Sequence, residues 1–70
     1  MPKLPGISYK RAVRALERAQ FRVARRGKHV TMTDGSRVVT VPRTDPINGY
    51  TMAMIVRQAG LSIEQFKELL

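Results

Sequence analysis

The 70-residue sequence contains no cysteine, no tryptophan and a single histidine, and it sets only five acidic residues against thirteen lysines and arginines. Each shortage removes a class of chemistry. Without cysteine there is no disulfide staple and no thiolate metal site, and one imidazole cannot build a histidine-rich site, so no metal is expected. No apolar run approaches the ~20 residues that span a bilayer, and the N-terminus lacks the apolar stretch of a signal peptide. A cytoplasmic location with no membrane partner is expected. The phosphate-loop, dinucleotide, zincin and calcium-loop spacings are missing as well, which leaves no cofactor implied. A chain of this length buries only about 60% of its unfolded surface, so a single domain over residues 1–70 with no large substrate pocket is expected.

What the sequence has is positive charge, a net +8, and it is unevenly placed. Residues 1–43 carry Lys3, Lys10, Arg11, Arg14, Arg18, Arg22, Arg25, Arg26, Lys28, Arg37 and Arg43 against Glu17 and Asp34, whereas residues 44–70 are nearly balanced. Such asymmetry points to a polyanionic partner, nucleic acid first.

Residues 25–42 organise the chain. Asp34-Gly35 between runs rich in Val and Thr predicts a two-residue hairpin, in which Thr33 faces Ser36, Thr31 faces Val38, Val30 faces Val39 and His29 faces Thr40. Alternation then puts Val30, Met32, Val39 and Val41 on a core face, and His29, Thr31, Thr33, Val38 and Thr40 on the other. The lone imidazole is presented on an open face near Arg25, Arg26 and Lys28.

Along the rest of the chain, residues 1–7 read as an irregular lead-in. Ser8 is placed to cap a helix from Tyr9 to about Gln20, with Tyr9, Ala12, Val13, Leu16 and Ala19 on one side and Lys10, Arg11, Arg14 and Arg18 forming a cationic ridge on the other. Residues 21–24 alternate as a first strand with Phe21 and Val23 inward, and Arg25-Arg26-Gly27-Lys28 turns the chain, Gly27 supplying backbone freedom. Pro42 ends the third strand. A loop follows over 42–50, then a helix from Thr51 with Met52, Ile55, Val56 and Ala59 in a stripe and Gly60 closing it. Ser62 and Gln65 have capping-box spacing for a last short helix, and the Met and Phe positions of this region are expected in the core. The order implies an α+β fold of two layers, α-β-β-β-α with a short C-terminal helix, like a double-stranded-RNA-binding domain.

A single histidine among cations suffices for one reaction in particular, because RNA carries its own nucleophile. The 2′-hydroxyl attacks the adjacent phosphorus if a base takes its proton and cations neutralise the developing charge. His29 is the candidate base or acid, with Lys28, Arg26 or Arg25 as the electrostatic clamp and Lys10, Arg11, Arg14 and Arg18 as phosphate contacts. A non-catalytic RNA-binding module of the same fold is the alternative. A DNA-binding regulator is disfavoured, since no helix pair reads as helix-turn-helix.

Gly6-Ile7-Ser8 before a helix, Gln20-Phe21 opening a strand, Gly27-Lys28-His29, Asp34-Gly35, Val39-Thr40-Val41-Pro42 and Ile55-Val56-Arg57-Gln58-Ala59-Gly60-Leu61-Ser62 together resemble the HicA toxins of prokaryotic toxin-antitoxin systems. The resemblance runs from Gly6 to Leu70. It implies a double-stranded-RNA-binding-like fold, a ribonuclease that cleaves mRNA, a catalytic histidine at His29 and a HicB antitoxin that covers the site. Three positions depart from the family's pattern. Gln20 stands where glycine is usual, so the first helix is expected to end without a left-handed glycine; Lys28 replaces a small residue, and Thr44 lies where members often have a second histidine.

Overall fold

In the computed structural model, which describes residues 6–70, the elements are α1 (Tyr9–Arg18), β1 (Arg22–Arg26), β2 (His29–Thr33), β3 (Val38–Pro42), α2 (Gly49–Gln58) and α3 (Ile63–Leu69). The strands form one antiparallel sheet in the order β1-β2-β3. The helices pack on one of its faces, giving the expected two-layer α+β arrangement. Val30, Met32, Val39 and Val41 are buried against Ala12, Ala15 and Leu16 of α1, Met52, Ile55 and Val56 of α2, and Phe66 of α3. The small Ala12 and Ala15 let α1 lie close to the sheet. On the opposite face His29, Val38 and Thr40 are exposed and Thr31 and Thr33 half-buried.

The β2–β3 pairing differs from the expected register. Thr33 pairs with Val38, Met32 with Val39, Thr31 with Thr40, Val30 with Val41 and His29 with Pro42, so the connection is the four residues 34–37. A type I′ turn needs positive φ at both central residues, and of this pair only Gly35 has it, at 99°. Asp34 folds the loop with its side chain instead: Oδ1 accepts the amides of Ser36 at 2.9 Å and Arg37 at 2.7 Å, while Thr33 Oγ1 donates to the Arg37 carbonyl at 2.7 Å. This Asx-type turn wins over the tight hairpin. The amide of Arg37, then that of Ser36, holds the Asp34 carboxyl below its ordinary value. A depressed folded value means that the turn's contribution is present above the ordinary carboxylate value and is lost only in acid below it. Because the register moves by two residues, every side chain keeps its face.

The helix ends show why Gln20 matters. α1 stops at Arg18, two residues earlier than expected, and Gln20 adopts φ 73°. The Gln20 amide donates to the Glu17 carbonyl and the Phe21 amide to the Leu16 carbonyl, both at 3.0 Å. This is the Schellman closure. α2 closes identically through Gly60, φ 78°, with bonds from Gly60 to Arg57 and from Leu61 to Val56. The first helix thus ends without a left-handed glycine, as expected, and the left-handed position itself is kept and held by glutamine. A left-handed non-glycine residue costs about 1–2 kcal/mol, partly offset by the greater unfolded-state freedom of glycine. Gln20→Gly is accordingly expected to raise stability by about 0.5–1 kcal/mol, read as a higher urea midpoint; an unchanged or lower midpoint would show that the glutamine is unstrained.

α2 begins at Gly49, not Thr51, because the Asn48 side chain caps it, accepting the Tyr50 amide at 2.8 Å. Within the shortened connection Ile47 bridges to Ile7, its amide donating to the Ile7 carbonyl at 2.7 Å. Both isoleucines are buried, and isolated apolar residues without periodic neighbours left no signal of it. Residues 1–5 of the expected lead-in lie outside the described residues. Met54, expected in the core, is 57% exposed, whereas Met52 and Phe66 are buried. Ser62 and Gln65 form the expected capping box, each accepting the other's amide at 3.0 and 2.8 Å.

Candidate functional site

β1 runs on through Arg25 and Arg26, which belong to the strand and not to the turn expected there. Its pairing is Arg22 with Thr33, Val23 with Met32, Arg25 with Thr31 and Arg26 with Val30, with a shift between Val23 and Arg25. Ala24 is the extra residue of a β-bulge. Paired residues share a face. Arg22 and Arg25 therefore lie on the open face and Arg26 on the helix side, which for Arg25 and Arg26 is the reverse of what unbroken alternation from Val23 dictates.

His29 opens β2 and lines a shallow concavity of about 220 Å³ with Arg25, Gly27, Lys28, Thr31 and Thr40. Arg25, Thr31 and Thr40 form a row across all three strands, and His29 sits two residues from Thr31 on the same face. Gly27 does not use left-handed freedom, and a Cβ there would meet the His29 carbonyl at an ordinary 3.9 Å. Its contribution is the amide, which donates to the His29 carbonyl at 3.1 Å and fixes the start of the strand.

The other cations named from the sequence lie elsewhere. Arg26 shares a concavity of about 210 Å³ with Tyr9, Lys10, Val13, Arg14 and Glu17. Arg11, Arg14 and Arg18 surround a further one of about 160 Å³ beside Leu70. Arg18 has a structural task as well, since its guanidinium donates to the Leu69 carbonyl at the end of α3, where the helix dipole favours a cation. Of the seven cations named, the structure thus brings Arg25 and Lys28 to His29 and places Lys10, Arg11, Arg14, Arg18 and Arg26 around α1. Thr31 and Thr40 were placed on this face by alternation but not singled out as site residues. Helical spacing marks Tyr9 only as part of the packed stripe, whereas it lines a concavity beside Lys10 and Arg14.

Chemically, an exposed imidazole beside a guanidinium, an ammonium and two hydroxyls can hold a phosphodiester and move a proton. Among the described residues no group of three or more His, Cys, Asp or Glu could hold a metal ion, and no helix is long and apolar enough to cross a membrane. The family model of the HicA toxin of bacterial toxin-antitoxin systems matches residues 9–61. Comparison with curated proteins finds no match, and comparison with solved structures finds none either.

Proposed function

The chain belongs to the HicA toxin family, and from that premise we propose that this toxin of a toxin-antitoxin system is an endoribonuclease that cuts single-stranded mRNA without a metal. The observation that carries the reading is the position of the only imidazole, exposed on the open sheet face in one concavity with Arg25 and Lys28. The ribose 2′-hydroxyl attacks the adjacent phosphorus and the bond to the 5′-oxygen breaks, leaving a 2′,3′-cyclic phosphate and a 5′-hydroxyl. His29 takes the 2′ proton as base or gives a proton to the leaving oxygen as acid, with water in the other role. Arg25 and Lys28 neutralise the charge that gathers on the non-bridging oxygens in the transition state, and Thr31 and Thr40 offer hydroxyls to phosphate or ribose. Thr44 is exposed in the stretch after β3, and its hydroxyl cannot stand in for a second imidazole.

In this reading residues 1–70 act as one HicA-like domain in the cytoplasm, where mRNA is found, and a HicB-type antitoxin is the inhibitor. The test is incubation of the purified toxin with unpaired RNA in excess EDTA. Cleavage is expected at the rate seen without chelator, with cyclic-phosphate ends; a strict requirement for Mg²⁺ would overturn the scheme. Binding without any cleavage would favour the non-catalytic RNA-binding module.

A further inference from the structure

The three concavities described above can be joined into one cationic track through residues that they share or that adjoin in sequence. The one around His29 contains Arg25, the next contains the adjacent Arg26, and that one shares Arg14 with the third. Arg25 and Arg26 project to opposite faces of the sheet at the end of β1, which is an edge strand. The track therefore passes from the open face around this edge to the outer surface of α1. Along it lie the exposed Lys10, Arg11 and Arg14, the half-buried ring of Tyr9 and one acid, Glu17.

We propose that one unpaired RNA strand follows this track, with the scissile phosphate at His29, the bend at Arg25 and Arg26, and the flanking nucleotides on α1 against Tyr9, Lys10, Arg14 and Arg11. The proposal rests on the reading of RNA as the substrate at His29 and adds a second binding surface on the other layer of the molecule. Regularly spaced charge on a flexible chain suits a line of cations that turns a corner, and Tyr9 supplies a face on which a base stacks. A double helix cannot take the same route. Even DNA resists bending over about 500 Å, and the molecule measures only 28 × 22 × 17 Å. The track thus selects for single strands by shape alone.

Binding is measured with 2′-O-methyl oligonucleotides, which lack the nucleophile and are not cut, of about 4 and about 16 nucleotides, the span of site sizes for small single-strand-binding modules. The longer one is expected to bind about 10-fold or more tightly. Lys10→Ala with Arg14→Ala, both exposed positions away from the helix contact made by Arg18, is expected to remove most of that advantage and to flatten the logarithmic salt dependence by about 1.4, or ~0.7 per phosphate contact on a single strand. Binding of the short oligonucleotide, which does not span the distance from His29 to α1, is expected to fall less than binding of the long one. Pairing the flank of the long oligonucleotide with a complement is expected to return its affinity to that of the short one. Equal affinity for the two lengths, no effect of the double variant on the long one, or equal binding of the paired flank would each overturn the proposal. So would a double variant that loses binding to the antitoxin while keeping full RNA affinity, which would assign the α1 surface to the protein partner. Failure of the ribonuclease reading shows separately, as absence of cleavage by the wild-type toxin in the presence of intact length-dependent binding.

Discussion

His29→Ala is expected to lower RNA cleavage by about 10²–10⁴-fold, the usual contribution of a positioned proton-transfer group, while the urea midpoint stays near that of wild type. The two halves of this result have separate causes. The imidazole lies exposed on the face away from the core, so its removal opens no cavity and breaks no packing. Arg25 and Lys28 remain to hold the phosphate, so the loss is expected mainly in kcat and much less in KM. Single-turnover cleavage of an unpaired RNA checks it. Equal rates for variant and wild type would take His29 out of the mechanism and leave the open face as a binding surface only.

The second large effect is expected from the antitoxin, which should abolish cleavage at stoichiometric concentration by covering the same face. A standard protein interface removes about 800 Å² from each partner, roughly a sixth of the 4600 Å² that this molecule exposes. One face is enough. The site is a shallow concavity and not a cleft, so an occluding partner needs no insertion and no unfolding; carboxylates set against Arg25 and Lys28 complement its charge. The complex is expected to protect His29 from chemical modification and to compete with RNA. Its association is expected to slow as salt rises, because steering between opposite charges is screened over about 10 Å at 0.1 M. Should the antitoxin bind while His29 stays as reactive as in the free toxin, inhibition works at another surface.

The layers and faces of the fold were legible because they rest on periodicity. Val30, Met32, Val39 and Val41 alternate, Met52, Ile55, Val56 and Ala59 recur at helical spacing, and burial follows both patterns. Details governed by one side chain's hydrogen bonds were not. The Asp34 carboxylate decides the length of the β2–β3 connection and Asn48 decides where α2 begins, and in both cases a local polar bond overrode the expected pattern. Gln20 in a left-handed conformation was illegible for a different reason: the closing bonds of α1 demand that backbone whichever residue occupies the position. At the site, alternation placed His29 with its hydroxyl neighbours correctly. It could not separate Arg25 from Arg26, because Ala24 resets the alternation and nothing in the residue itself announces an extra step.

That extra step bears on how the toxin tolerates change. If the bulge were ironed out with Ala24 kept in the ladder, Arg25 would turn toward the helices and Arg26 toward His29, and the two would trade faces. Each side of the sheet would still be offered a guanidinium. Neighbouring unlike residues would make the surface depend on that one-residue register, whereas a tandem pair of identical ones makes it redundant. The strand at this edge can therefore hold or lose its bulge and still show positive charge to both sides.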